Sequence, residues 1–142
     1  MTTRAQMSES AEHEGGHTSL MRAALEGDTD TVKKLLEGGV DPNEKDDEGR
    51  TALMFAVTNI HTDAVFLLLD HGADVNATAN DGGTALMLAA SSGGSTIVRA
   101  LLSKGAYVSV KFTMTGKTAL MLAREKDYPE IAKLLQAAGA EQ

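Results

Sequence analysis

The chain has 142 residues, a formal net charge of −7 and a composition that is 42% hydrophobic but only 4% aromatic. That length suits one domain with an aliphatic core, and the acidity disfavours a nucleic-acid partner. The absence of Cys excludes disulfides, Cys-ligated zinc and a cysteine nucleophile. Taken from the start, MTTRAQMSESAEHEGGH has no apolar core of a secretory signal, and no later run reaches the roughly 18 apolar residues that span a membrane. The expected address is therefore cytoplasmic. Residues 1–12 are polar and aperiodic and read as a flexible tail. Charge is uneven: residues 1–50 carry −6, residues 51–100 carry −3, and residues 101–142 carry +2. Such a gradient can steer a partner along the chain's long axis.

From Thr18 onward one pattern recurs. Thr18, Thr51, Thr84 and Thr118 open similar segments at spacings of 33, 33 and 34. A second marker keeps register at Gly39, Gly72, Gly105 and Gly139. Two markers with one period predict a repeat architecture. Within each repeat the grammar is helix, turn, helix, loop. Thr51 is a natural N-cap whose hydroxyl can accept from a free N–H of the first turn. Leu53, Ala56 and Val57 then fall at i, i+3, i+4, and Val65, Leu68 and Leu69 repeat that spacing after the break at Asn59-Ile60-His61. Gly72 ends the second helix. Equivalent sets are Leu20, Ala23, Ala24 with Val32, Leu35, Leu36; Leu86, Ala89, Ala90 with Val98, Leu101, Leu102; and Leu120, Ala123 with Ile131, Leu134, Leu135. A pair of short helices cannot bury its own face, so the repeats must stack. The loops between them, 44–50, 77–83 and 110–117, carry tight-turn residues, and the third is longer by one.

These residues resemble the ankyrin repeat family, whose motif runs approximately D-x-x-G-x-T-P-L-H-x-A-A, G-H, a Leu-rich helix, and G-A-D-V-N. The resemblance rests on Thr51, Leu53, Ala56, His61, Leu68, Leu69, Gly72, Ala73, Asp74, Val75 and Asn76. It covers about residues 13–142, with repeats at about 13–45, 46–78, 79–112 and 113–142. It implies an all-α solenoid of stacked helix-turn-helix units with β-hairpin-like connecting loops. Four departures stand out. The family's Pro is replaced by Ser19, Ala52, Ala85 and Ala119, and its His by Met21, Met54, Met87 and Met121, for which apolar packing is expected. Ile60 and Asp127 occupy positions where the family has Gly, which puts the left-handed turn there in question. Arg22 and Arg124 place charges in rows that are apolar or small elsewhere, so the first and last repeats read as caps of a complete four-repeat protein.

Catalytic chemistry finds little footing. Gly116-Lys117-Thr118 resembles the end of a phosphate-binding loop, but Lys111 stands where that loop needs Gly. His13 and His17 have metal-ligand spacing only if helical, and Gly15 and Gly16 between them argue against that. Asn76-Ala77-Thr78 is a glycosylation sequon in form, on a residue that the resemblance makes structural. No catalytic, cofactor-binding or metal residue is assigned.

What remains is surface. The resemblance implies a non-enzymatic interaction module, an adaptor or inhibitor, that binds a protein partner on a concave face of loop tips and late first-helix residues. The positions are Thr58, Asn59, Ser91, Ser92 and Glu125 on the helices, and Asn80, Asp81, Tyr107, Lys111, Phe112 and Met114 in the loops. Phe112 and Met114 in the longer third loop fit a binding hot spot; the other reading of Phe112 is local packing on the fourth repeat. A monomer without nucleic-acid or membrane partners is expected. The alternatives are a small-ligand protein or enzyme with a groove site, and a self-associating subunit.

Overall fold

The computed structural model describes residues 16–140. The segment read as a tail, 1–12, lies outside them, as does His13. Eight α-helices follow in order: α1 (Ser19–Glu26), α2 (Thr29–Glu37), α3 (Ala52–Thr58), α4 (Thr62–Asp70), α5 (Ala85–Ser92), α6 (Ser95–Ser103), α7 (Ala119–Glu125) and α8 (Pro129–Ala137). No strand occurs among the described residues. The architecture is an all-α stack of four helix pairs.

The first helix of each pair starts on an extended Thr. Thr18, Thr84 and Thr118 accept through Oγ1 from the backbone N–H of Met21, Met87 and Met121, at 3.1, 3.3 and 3.3 Å. Thr51 departs from the expectation. It keeps the cap backbone (φ −111°, ψ 168°), but its buried hydroxyl makes no cap hydrogen bond. Burial substitutes for the cap: Ala52 through Val57 are buried without a break, and packing outweighs local terms in a helix this short. Three members of the Met row pack as expected, with Met21, Met54 and Met87 no more than 2% exposed, while Met121 is only half-buried. The row also does something apolar packing does not include. The Sδ atoms of Met21 and Met87 each accept from the N–H of the capping Thr, at 3.4 Å. A thioether is a weak acceptor, but it serves a backbone donor that would otherwise lie buried and unused.

The turn between paired helices keeps its left-handed residue in every repeat. Gly27 and Gly93 have φ of 74° and 91°, and Ile60 and Asp127 adopt 57° and 61°. The replacement of Gly therefore does not abolish the turn. For Ile60 the left-handed backbone costs on the order of 1–2 kcal/mol.

The core is the continuous seam between layers. Ala23, Ala24, Ala56, Ala89, Ala90 and Ala123 are all buried on the first helices, and Val32, Val65, Val98 and Ile131 on the second. Small residues let α1, α3, α5 and α7 approach one another more closely than α2, α4, α6 and α8 do. The first helices thus form the more closely packed, inner layer of the stack. Arg22 and Arg124 are exposed, Arg124 in the row where Ala24, Val57 and Ala90 are fully buried between repeats.

Side chains stitch one repeat to the next. Asn43 donates to Gly72 O (3.0 Å) and accepts from Asp74 N (2.7 Å). One repeat later Asn76 donates to Gly105 O (3.1 Å) and accepts from Tyr107 N (2.8 Å). The amide of Asn76 is consumed by this bridge, which confirms its structural role. On the opposite edge Asn59 Nδ2 and His61 Nε2 both donate to Leu25 O, at 2.9 and 3.1 Å.

Candidate interaction site

Each loop between helix pairs closes as a hairpin turn. Backbone bonds join Asp46 N to Arg50 O, Ala79 N to Gly83 O and Phe112 N to Lys117 O, at 2.9, 2.9 and 3.0 Å. The third turn is wider by the one residue that makes the repeat spacing 34. The hairpins also bond to one another: Asn80 N donates to Glu48 O, and Thr113 N to Asp81 O, each at 2.9 Å. They form a continuous row beside the inner helices.

The repeat period puts Asp46, Ala79 and Phe112 at one position of this row, and His17, Arg50, Gly83 and Lys117 at another. In the first hairpin both positions are polar and engaged. Asp46 has a fully buried side chain that accepts from Glu48 N (3.0 Å), Arg50 N (2.8 Å) and Arg50 Nε (2.9 Å), with His17 Nε2 at 3.3 Å. Burial opposes its charge, but the backbone N–H groups of Arg50 and Glu48 and the Arg50 guanidinium outweigh that cost. The carboxyl titrates below the usual aspartate range. The Arg50 guanidinium also lies 4.9 Å from the centre of the Phe55 ring, which His17 meets edge-on at 5.2 Å. Arg50 and His17 thereby roof an aromatic side chain that points out of α3.

In the second hairpin Ala79 and Gly83 leave this region without side-chain cover. The Phe112 ring takes the space: a Cβ on Gly83 would stand 2.7 Å from Phe112 Cε1. Phe112 is half-buried, and it rests on the third repeat's hairpin. Next to it opens a cleft of ≈ 410 Å³ lined by Asp81, Phe112, Met114, Thr115, Lys117 and Leu122. Met114 stands at its rim, 89% exposed. Two other clefts, at the helix turns around Gly27–His61 and Gly93–Tyr128, are smaller, ≈ 250 and ≈ 270 Å³.

The positions singled out in the sequence divide accordingly. Asp81, Phe112 and Met114 meet in the cleft. Glu125 connects to it through Lys117, whose Nζ is 2.8 Å from Glu125 Oε2. Lys111 is exposed immediately before Phe112, and Asn80 is exposed beside Asp81. Thr58, Asn59, Ser91 and Ser92 sit at the ends of α3 and α5, where Asn59 is spent on Leu25 O and Thr58 Oγ1 on Met54 O. Tyr107 is 66% exposed but does not line the cleft. Leu122 and Gly83 were missed by sequence reasoning. Their signal is positional: Gly83 is the one member of its row without a side chain, and Leu122 shares a row with Phe55, which Arg50 covers. Among the described residues no group of three His, Asp or Glu is placed to hold a metal. No described helix is long and apolar enough to cross a membrane.

No curated protein matches the chain. The family model of ankyrin repeats, three copies long, matches residues 20–112 and again 76–142. With four helix pairs, a hairpin row and matches that together reach from 20 to 142, the chain belongs to the ankyrin repeat family.

Proposed function

We propose that this chain is a non-enzymatic adaptor or inhibitor, a monomer that docks a protein partner across the face made by its hairpins and inner helices. Ankyrin repeats are in general protein-interaction modules. The single observation that carries the finer reading is the apolar cleft at the third hairpin. Phe112 and Leu122 form part of its wall and Met114 is held out at its rim, on a surface where the first hairpin instead covers its aromatic residue with Arg50. Thr58, Asn59, Ser91, Ser92 and Glu125 extend that face along the inner helices, and Asn80, Asp81, Tyr107 and Lys111 along the loops. A protein interface needs a few desolvated anchors within a polar rim, and this face offers both.

Affinity capture from native lysate with wild type and Met114→Ser in parallel tests the reading. A partner retained by wild type and lost from the variant, with unchanged melting temperature, supports it. Identical capture by both proteins would remove the third hairpin from the binding face. Light scattering at several concentrations checks the monomer, and a concentration-dependent mass would favour the self-associating alternative.

A further inference from the structure

We propose, resting on the interaction reading above, that the cleft at the third hairpin takes a segment of acidic polypeptide presenting one large apolar side chain. The apolar half of the argument is geometric. Phe112 and Leu122 supply a hydrophobic wall and Met114 a flexible, exposed edge, in a space of ≈ 410 Å³. Met adapts to aliphatic and aromatic guests alike. The Phe112 ring lies against Gly83 and leaves the cleft open beside it.

The charged half follows from which groups around the cleft are free. Of the two neighbouring acids, Glu125 is neutralised by Lys117 at 2.8 Å, whereas Asp81, whose Oδ1 accepts from Gly83 N at 2.9 Å, keeps its charge and has to be offset by the lysines. Lys111 is exposed, and its ammonium has no partner among the described residues. Lys126, at the end of α7, does not line the cleft but adds a second exposed cation without a side-chain partner to this end of the chain. The field points the same way, since residues 101–142 carry +2 while the rest of the chain carries −9. A carboxylate beside the apolar anchor would be drawn to this end and turned away from the other.

The test is selection of random peptides displayed on phage against the immobilised full-length protein. Selected peptides are then measured by fluorescence polarisation against wild type, Met114→Ser, Lys111→Glu and, as a remote control, Lys33→Glu on α2. The expected result is enrichment of peptides with one large apolar residue next to Asp or Glu. Binding should weaken roughly fivefold or more in Met114→Ser and Lys111→Glu and stay unchanged in Lys33→Glu. Rising salt should weaken it through the charge term. Enrichment of basic or uncharged peptides would overturn the acidic assignment. Peptides that bind all variants equally would overturn the cleft while leaving a binding face elsewhere. Failure to enrich any peptide would overturn the peptide-segment proposal, and the lysate capture would then decide the broader reading by itself.

Discussion

The first and third hairpins begin at the same position of the repeat, one with Asp46 and the other with Phe112, and they solve the same problem with opposite chemistry. In the first, a buried carboxylate gathers two backbone N–H groups and the Arg50 side chain, and Arg50 then lies over Phe55. The hairpin is closed onto its own helix, and its apolar content is covered. In the third, Phe112 gathers no polar partner through its side chain, rests on a neighbour's Gly83, and leaves apolar surface open beside it. Ion-pair chemistry makes a hairpin that is complete by itself. An aromatic residue at that position makes a turn that is complete only against something else. The repeat scaffold is indifferent to which is used, because the backbone bonds that close the turns are nearly identical.

The largest effect is expected at Asp46. Asp46→Ala leaves the Glu48 and Arg50 N–H groups and Arg50 Nε without their acceptor, although Arg50 keeps Glu48 at 3.4 Å, and should cost about 2–3 kcal/mol in urea unfolding at neutral pH. The same carboxylate fixes a pH dependence. Its folded pKa is depressed, so its contribution is fully present above the unfolded value of about 3.9 and fades as pH falls through the lower folded value. Asp28, lowered by hydrogen bonds from the Thr31 side chain and backbone, acts in the same direction. Unfolding at pH 7 and pH 3 should show a loss in wild type that is smaller in Asp46→Asn; an equal loss in both would assign acid sensitivity to other groups.

Phe112→Ala is expected to come next, at about 1–2 kcal/mol, since a half-buried ring forfeits only part of what a core Phe is worth. A neutral result would mean that the third hairpin needs no internal support and that Phe112 is held wholly for a partner. Then comes a paired test of capping. Thr84→Val should cost about 1 kcal/mol, whereas Thr51→Val should be near neutral, because the Thr51 hydroxyl is buried without a bond to lose. Equal costs would show that Thr51 does cap α3 in solution. The smallest stability effect belongs to Met114→Ser, within about 0.5 kcal/mol by thermal melt, as for a surface residue away from caps and core.

The stack was legible from the sequence because period, caps and apolar spacing all repeat, and a repeated error is improbable. The extra residue of the third hairpin could likewise be read from a single spacing of 34. What resisted reading were properties of pairs at a distance of one repeat. Phe112 looked equally like a hot spot and like packing on the fourth repeat, since nothing in its own neighbourhood says that residue 83 lacks a side chain and will receive its ring. Asp46 stands unmarked within the loop 44–50, because one of its partners, His17, comes from the preceding repeat. Thr51 was expected to cap like its counterparts, and the sequence offers no reason for its hydroxyl to stand apart. The left-handed turn at Ile60 survives against local preference, as a conformation imposed by the repeats on either side.

The Asn bridges between repeats have an uneven distribution with a mechanical meaning. Asn43 clasps the first joint and Asn76 the second, but Ser109 occupies that position at the third and makes no such clasp. In a linear array each unit is held only by its neighbours, and an end unit opens before an inner one. The joint without an Asn clasp, where Arg99 instead reaches Glu130 across the second helices at 2.6 Å, is the one that the cleft straddles, with Asp81 on one side and Leu122 on the other. A guest seated there would act as the missing clasp. Occupancy and closure of the last repeat become one equilibrium, and the amides of α7 and α8 should exchange hydrogen more slowly when the cleft is filled.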